Sequence, residues 1–430
     1  MKNLIISHNA ITTYDAMGKT FLGLFSSFQK EELCQLYVYP TIPDVKKCAS
    51  YFRITDKDVL KSYYKRKVNG REIKDEQIDE SKHELFENNQ DIALYRNRKN
   101  KSPLRMLLRD LMWKFSPWYN KALVAWIKEQ QPTHLFVAPG TAKFLYDIAL
   151  KISRKFNLPI ITYICDEYYF VKEKKGFFAK IQQRQLKKKI ALLMKRTAHI
   201  ITICDELKEC YGQAFSAQAT TVMTGSNYEI RKMPAKKENI CAITYMGNIR
   251  CNRYVSLAQI GKALNEFNAE HNTSFYLDIY TAEQDEEILK TLSEINSIRL
   301  CGFVSGKEFD EKLHNTDILL HIEAFDEDSI DLVKHSISTK IADSLGSGIC
   351  LFAYGPDSVA SIQYLIKNKC GIVCTDEKCL KDTLSTIFFD NDLRKATVEE
   401  ALKIAKSNHD TVVVGDRVYK IFEQVSKDNV

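Results

Sequence analysis

The sequence predicts an α/β protein with two doubly wound domains, each built around a parallel sheet. Short runs rich in Ile, Val and Leu alternate with longer helical stretches, and six such runs fall in each half of the 430-residue chain. Continuous apolar runs separated by helices are typical of parallel strands covered on both faces. A chain of this length also has room for two hydrophobic cores.

The predicted strands and domains follow from this alternation. In the first half the strands are predicted at residues 4–7, 33–39, 134–138, 159–164, 199–204 and 221–224. In the second half they are predicted at residues 241–246, 275–280, 298–303, 317–322, 349–354 and 371–374. We expect an N-terminal domain over 1–226 with a charged insertion at about 51–101, a polar linker over 227–239, a C-terminal domain over 240–405 and a final segment over 406–430.

Composition predicts a cytoplasmic protein without a metal site. No run approaches the roughly 18 apolar residues that a membrane span needs, and the N-terminus reads as a first strand instead of a signal peptide. The twelve cysteines are scattered and form no C-x-x-C pair, so we expect buried, reduced thiols. The closest cluster, Cys370, Cys374 and Cys379, lacks the histidine or second cysteine pair of a zinc site.

The most informative motif runs from His335 to Gly348 and predicts a nucleotide site. It reads as a loop, a helix opened by hydroxyl residues, a glycine stop and then a buried strand. Ser338 suits the N-cap position, and free amides at a helix N-terminus bind anions. Lys340 adds a positive charge in the first turn, so that these groups suit a phosphate, while Asp343 suits the hydroxyls of a ribose.

This arrangement resembles the donor-site helix of GT-B glycosyltransferases of the family 4 type, especially those acting on bacterial surface polysaccharides. In that family a serine or threonine and a lysine precede an acidic residue, with a glycine five positions after the acid. Here the acid is Asp343 and the glycine is Gly348. The resemblance implies that Ser338, Thr339 and Lys340 bind the donor diphosphate. The sequence departs from the family in having aspartate for the commoner glutamate and His335 where the first glutamate of the pair falls.

A second motif, residues 244–253, is a buried strand that ends in Gly247 with arginines just beyond it. Ligands of open α/β sheets bind at the carboxyl ends of strands. The motif looks like the start of the second domain in the same family, where a basic residue six positions after the glycine binds the diphosphate. Arg253 fills that place, and its planar fork suits a diphosphate; a solvated surface arginine is the alternative.

Two further stretches of the second half resemble parts of a donor site. Residues 300–304 resemble the turn that holds the nucleobase through backbone groups, which assigns Gly302, Phe303 and Val304 to the base. Glu323 follows the strand at 317–322, where a carboxylate either faces the donor as a catalytic group or lies in water.

In the first half, polar residues after two strands are the catalytic candidates. Asp166 follows the strand at 159–164, near the point where the family tends to place a histidine or aspartate, and His8 follows the first strand. Gly18 stands where a glycine lets a phosphate approach the backbone, although a plain turn explains it equally well. A P-loop at Gly18 is disfavoured because Thr13 occupies the position of its first glycine.

The formal charge of +7 is concentrated in one segment, which predicts a membrane surface. Between Lys172 and Arg196 there are ten Lys and Arg residues against one glutamate, with Phe177 and Phe178 among them. Basic amphipathic helices with aromatic residues suit an anionic bilayer. Residues 104–127, which hold all three tryptophans, are a second amphipathic candidate; ordinary core helices are the alternative for both. No nucleic-acid-binding motif accompanies the basic run.

The resemblance implies two Rossmann-like domains facing a cleft, with a last helix near 412–426 packing back on the first domain. It implies a glycosyltransferase that moves a sugar from a nucleotide-sugar donor to a lipid-linked saccharide acceptor in surface polysaccharide synthesis. The resemblance also implies retention of configuration and independence of any cofactor or metal. Metal independence has a physical reason, because Arg253, Lys340 and a helix N-terminus can neutralise the departing diphosphate. A nucleotide-sugar epimerase of the same fold and a non-catalytic nucleotide-sugar or membrane-binding member are the alternatives.

Overall fold

The computed structural model describes residues 1–65, 70–81, 102–226, 242–304 and 306–428. The chain divides into two compact units: unit 1 comprises Met1–Thr224 and Val414–Val430, and unit 2 comprises Gly225–Val413. The predicted linker at 227–239 lies outside the described residues, as do 66–69 and 82–101 of the predicted insertion.

Unit 1 contains an eight-stranded sheet flanked by helices. Its strands are β1 Asn3–Ser7, β2 Leu33–Tyr37, β3 Ser50–Arg53, β4 Arg71–Ile73, β5 His134–Ala138, β6 Ile160–Ile164, β7 Thr197–Thr202 and β8 Ala219–Thr221. Its helices are α1 Ala16–Leu24, α2 Asp56–Lys65, α3 Pro103–Phe115, α4 Lys121–Gln130, α5 Lys143–Phe156, α6 Phe177–Met194 and α7 Asp205–Phe215. The spatial order is β4-β3-β2-β1-β5-β6-β7-β8, and only β4 is antiparallel to its neighbour.

Unit 2 contains a six-stranded, fully parallel sheet in the order β11-β10-β9-β12-β13-β14. The strands are β9 Ala242–Met246, β10 Tyr276–Tyr280, β11 Ile298–Leu300, β12 Ile318–Ile322, β13 Cys350–Tyr354 and β14 Ile372–Cys374. The helices are α8 Arg253–His271, α9 Glu286–Ser293, α10 Gly306–Asn315, α11 Glu327–Val333, α12 Thr339–Gly346, α13 Ala360–Asn368, α14 Leu380–Phe389 and α15 Asn391–Ile404.

The last helix, α16 Thr411–Asp428, belongs to unit 1 from Val414 onward. Its Phe422 is fully buried and lies edge-on to Phe28, with ring centroids 5.3 Å apart, and stacks on Phe136 of β5 at 6.3 Å. These aromatic contacts make α16 part of the unit 1 core.

The structure confirms the predicted fold class, because both units are doubly wound sheets and each of the twelve predicted strands overlaps an observed one. Two strands, β3 and β4, were missed within the stretch predicted to be a charged insertion. They are only four and three residues long, and both carry charged residues such as Arg53 and Glu72, so neither shows a clear apolar run.

The strand order creates one reversal point in each sheet, and these points position the candidate sites. In unit 1 the chain winds outward from β1 on one side and from β5 on the other, and in unit 2 the corresponding neighbours are β9 and β12. Helices on opposite faces leave a crevice at the carboxyl ends of such strand pairs, which is where open α/β sheets bind ligands.

Candidate functional site

A cavity of about 200 Å³ lies at the reversal point of the unit 2 sheet. The ends of β9 and β12, the start of α8 and the first turns of α12 form its walls. Five sequence-predicted site residues line it: Arg253, Glu323, Ser338, Lys340 and Asp343. Residues up to 90 positions apart in the sequence, Arg253 and Asp343, are thus brought together by the parallel topology.

Lys340 in the first turn of α12 places a positive charge in this cavity. Its Nζ donates a hydrogen bond to the Met246 carbonyl oxygen at 2.8 Å, and it forms no ion pair within the described part of the chain. Desolvation and, to a smaller extent, the nearby positive charge of Arg253 lower the pKa of the Lys340 amine to about 8, and Asp343 opposes both. A cation held here without a carboxylate partner favours an anionic ligand.

Gly247 explains how the Lys340 amine reaches the end of β9. A Cβ atom at position 247 would overlap Lys340 Nζ and lie 3.1 Å from the Tyr245 hydroxyl oxygen. The missing side chain therefore leaves the space that the amine occupies, and this role differs from direct backbone contact with a phosphate.

Arg253, the first residue of α8, pairs with Glu323 at the end of β12. Its Nε and Nη2 atoms donate to Glu323 Oε2 at 3.0 and 2.7 Å, and Nε also contacts the Ile322 carbonyl at 3.2 Å. Burial raises the pKa of the Glu323 carboxyl, and the guanidinium counteracts part of that rise. Nη1 has no hydrogen-bond partner among the described residues and remains available to a ligand in the cavity.

His321, which sequence reasoning missed, lies beside this pair. Its Nε2 is 3.0 Å from Ser361 Oγ and 3.5 Å from Glu323 Oε1. Burial, with the charges of Arg253 and Lys340, lowers the pKa of the imidazole to about 3, so the ring is neutral at physiological pH. The signal in the sequence was a single polar residue inside the apolar run of β12.

The N-terminus of α12 and Asp343 complete the unit 2 cavity. Ser338 has the extended backbone of an N-cap residue, as predicted, but its hydroxyl makes no capping hydrogen bond. The first amides of the helix are therefore not satisfied by the cap, and they add partial positive charge. Asp343 Oδ1 accepts a hydrogen bond from Ser226 Oγ at 2.9 Å, a partner 117 residues away that the sequence did not indicate.

The predicted nucleobase turn lies next to the edge strand β11 and does not line this cavity. Gly302 has φ +78°, and its carbonyl accepts from the Thr281 amide at 2.7 Å, which fixes the turn. Phe303 is 65 % exposed and Val304 is buried.

A second cavity of about 520 Å³ lies at the carboxyl ends of β1, β5 and β6 in unit 1. It contains both catalytic candidates of this half, His8 and Asp166. Asp166 Oδ2 accepts a hydrogen bond from the Tyr168 hydroxyl at 3.0 Å, and His8 Nδ1 lies 2.8 Å from Asn9 Oδ1. The topology thus gathers polar groups from two separate strand ends around one space.

Arg109 of α3 is a residue of this cavity that sequence reasoning missed. Its Nη2 lies 3.2 Å from His8 Nε2, and its Nε forms an ion pair with Asp56 at 2.9 Å. Trp113 also donates to Asp56, at 2.7 Å, which anchors the carboxylate. No local pattern connects Arg109 with His8, because 101 residues separate them.

Gly18 does not line the unit 1 cavity. It lies in α1, where its amide donates to the N-cap residue Asp15 at 2.9 Å, and a Cβ there would lie 2.6 Å from the Thr12 backbone nitrogen. The glycine is thus required by the close approach of Thr12.

The predicted membrane segment forms α6 and is only partly exposed. Leu186, Ile190 and Leu193 are buried, whereas Phe177 and Phe178 at the helix start are exposed. The three tryptophans are also buried: Trp113, Trp118 and Trp126. None of the helices in the described ranges is both long and apolar enough to cross a membrane.

No protein-family model and no curated protein sequence matches the chain. Solved structures match it over nearly its whole length. Sucrose-phosphate synthase from Thermosynechococcus elongatus is 9% identical over 100% of both chains, with a TM-score of 0.64. Anabaena HepE in complex with UDP-glucose is 12% identical over 99% of this chain and 100% of its own, with a TM-score of 0.59. WaaG, a glycosyltransferase involved in lipopolysaccharide biosynthesis, is 10% identical over 97% and 98%, with a TM-score of 0.53. The chain therefore has the two-domain GT-B fold of these proteins.

Proposed function

We propose that this protein is a glycosyltransferase that takes its sugar from a nucleotide-sugar donor bound in the unit 2 cavity. One observation carries the proposal: Lys340 and the uncapped first turn of α12 point positive charge into a cavity at the reversal point of the sheet, and no carboxylate pairs with the lysine among the described residues. Such a site is suited to a diphosphate.

The residues around the cavity suggest a role for each part of the donor. Lys340 with the amides behind Ser338 and Thr339 binds one phosphate, and the Nη1 side of Arg253 binds the other. Asp343, which lines the cavity, accepts from the ribose hydroxyls. The Gly302–Val304 turn holds the base through its backbone.

The same positive charges also stabilise the leaving group of the reaction. When the bond between the anomeric carbon and the diphosphate oxygen breaks, the leaving group gains negative charge, which Lys340, Arg253 and the helix N-terminus stabilise. We propose that these groups replace a divalent cation and that the configuration of the sugar is retained. Full activity in the presence of EDTA would support the first point, and the anomeric configuration of the product decides the second.

The unit 1 cavity is the proposed acceptor site. Asp166 and His8 supply hydrogen-bonding groups to a sugar hydroxyl, and the cavity is large enough for a saccharide. HepE binds UDP-glucose and WaaG takes part in lipopolysaccharide biosynthesis. Their shared fold supports a UDP-sugar donor and a lipid-linked acceptor of surface polysaccharide synthesis at the inner face of the membrane.

Thermal unfolding of the purified protein with UDP, GDP, CDP and ADP tests the donor site. A nucleotide that binds only the folded state raises the melting temperature. We expect one of them to do so with wild type and with the surface variant Lys334→Gln, but not with the double variant Lys340→Gln/Arg253→Gln. No shift with any nucleotide at millimolar concentration would overturn the proposal, and sugar conversion from the donor alone would indicate an epimerase.

A further inference from the structure

Helix α3 of unit 1 exposes an unbroken apolar stripe. Leu104, Leu108, Leu111 and Phe115 are all exposed, Leu108 by 57 % and Phe115 by 69 %. Their spacing of four, three and four residues places them on one side of the helix. The stripe runs along the whole 13-residue helix, about 20 Å at the usual rise per residue.

The neighbouring helix α6 also exposes apolar side chains, at its start. The two helices are in contact, with Gln182 Nε2 of α6 lying 3.1 Å from Met106 Sδ of α3. At the N-terminal end of α6, Phe177 is 73 % exposed and Phe178 is 45 % exposed. We call the four stripe residues together with Phe177 and Phe178 the α3 surface.

The surroundings of the α3 surface are positively charged. Lys114 lies at the end of the stripe, with its Nζ 5.4 Å from the ring centroid of Phe115. Before and within α6 the basic residues outnumber the one acid, Glu173, whose carboxylate is already paired with Lys180 and Arg184. The carboxylates of α2 and α3 are also engaged, because Asp56 is paired with Arg109, Asp110 is paired with Lys143 and Asp58 accepts from the Thr55 hydroxyl. The charge left over is therefore cationic, which complements anionic lipid headgroups.

The opposite side of α3 faces the acceptor cavity. Arg105, Met106, Arg109 and Asp110 line that cavity, and Trp113 on the same side is fully buried against Phe144 with ring centroids 4.3 Å apart. Arg105 lies between the two sides and forms no side-chain hydrogen bond or ion pair within the described ranges. One helix thus presents an apolar, cation-bordered side to solvent and a polar side to the cavity.

We propose that the α3 surface docks on an anionic lipid bilayer, with its leucines and phenylalanines at the boundary between headgroups and acyl chains. Docking in this way brings the unit 1 cavity next to the headgroups, where Arg105 meets the phosphate of a lipid-linked acceptor. The lipid-linked acceptor rests on the proposed function, whereas docking of α3 does not. Of the two amphipathic candidates in the sequence, the surface uses mainly the second, residues 104–127. The first, residues 172–196, contributes only its first helical residues, because Leu186, Ile190 and Leu193 pack inside unit 1.

Co-sedimentation of the full chain with vesicles tests the proposal. We expect wild type to bind vesicles of phosphatidylglycerol and phosphatidylethanolamine, and to bind pure phosphatidylcholine at least tenfold more weakly. The double variant Leu108→Gln/Leu111→Gln should lose at least tenfold of the affinity for the anionic vesicles. Its matched control is Leu332→Gln/Leu393→Gln, which changes two equally exposed leucines of unit 2 and should bind as wild type does.

Hydrogen exchange of wild type keeps the test independent of variant folding. Amides of residues 103–115 and 176–179 should become protected when anionic vesicles are added, and those of α11 should not. Absence of vesicle binding, equal binding by the Leu108/Leu111 variant, or a wild-type dimer that this variant converts to a monomer would each overturn the proposal. Nucleotide-dependent melting shifts measured in parallel report on the donor site alone, so failure of the proposed function would be recognised separately.

Discussion

The two cavities occupy equivalent places in their sheets, yet their charged side chains differ in whether they are paired within the protein. In the unit 1 cavity, Arg109 is paired with Asp56 and Asp110 with Lys143, and Arg105, which is unpaired among the described residues, is exposed to solvent. In the unit 2 cavity, Lys340 bonds only to a backbone carbonyl within the described chain. A paired charge costs little without a ligand, whereas an unpaired cation favours binding of an anion. This contrast supports our proposal that the charged part of the donor binds in unit 2 and that an acceptor rich in hydroxyl groups binds in unit 1.

Replacing the unpaired Lys340 should remove the difference in charge pairing between the two cavities, and we expect the largest effect of all from this change. Lys340→Met keeps the length of the side chain but deletes the charge, and we expect nucleotide affinity to fall roughly 30- to 100-fold, the equivalent of about 2–3 kcal/mol for a hydrogen-bonded charge. Because desolvation already disfavours the charged amine, the melting temperature of the ligand-free protein should not fall. Titration calorimetry with the nucleotide and thermal unfolding without it measure the two effects.

Lys334→Gln is the control for Lys340→Met, since it removes an exposed lysine shortly before α12. A Lys340→Met protein that binds nucleotide as tightly as wild type would show that the cation serves the fold instead of the ligand.

The next largest effect should come from the unit 1 cavity and leave the donor site unchanged. Asp166→Asn removes a negative charge but keeps a group that can accept from Tyr168, so the local fold should persist. We expect turnover to fall about 10- to 100-fold, as for loss of a charged group that hydrogen-bonds the reacting hydroxyl. Steady-state transfer assays measure this change.

For Asp166→Asn, the nucleotide-dependent melting shift should equal that of wild type, and the exposed variant Glu129→Gln should transfer normally. Loss of nucleotide binding in Asp166→Asn would contradict the assignment of separate roles to the two cavities.

The local pattern of the sequence was sufficient to predict the sheets and most of the unit 2 cavity. β9, β12 and β13 are continuous apolar runs, and their ends carry the residues that line the site, so strand prediction also located Arg253 and Glu323. The N-cap position of Ser338 and the sequence interval from Lys340 to Asp343 were likewise local features. Because parallel strands end at one edge, local signals were enough to predict their proximity.

What the sequence could not predict depends on pairing between distant residues. Arg109 reaches His8 across 101 positions and Ser226 reaches Asp343 across 117, and neither contact leaves a periodic trace. The pairing of Arg253 with Glu323 was also not foreseen, although both residues were named separately. Similarly, the choice between a membrane face and a core face for α6 required knowledge of what packs against it.

A smaller perturbation tests how closely the Lys340 amine must be placed. In Gly247→Ala the new Cβ would overlap Lys340 Nζ, the movable end of a flexible side chain, so we expect the amine to shift while the fold persists. Nucleotide affinity should fall about tenfold, close to 1.4 kcal/mol, as measured by calorimetry. Gly212→Ala is the matched control, because its Cβ would make only ordinary contacts, the nearest at 3.6 Å. Unchanged affinity in Gly247→Ala would mean that the position of the amine is not critical.

The smallest expected effect is a dependence of nucleotide affinity on pH. It distinguishes the two cavities in the wild-type protein, without any substitution. The pKa of Lys340 in the folded protein is lowered to about 8, so the amine is charged at pH 7 and loses its proton as the pH rises through that value. Because the charged form binds the diphosphate, affinity should decrease about fourfold between pH 7 and 8.5, from the fractions protonated at these two values. His321 does not contribute, since its pKa of about 3 keeps it neutral throughout. Lys340→Arg, which stays charged over this range, should show a flat profile in the same calorimetric titration. An equally steep decrease in the arginine variant would assign the titration to another group and remove Lys340 from the proposed diphosphate site.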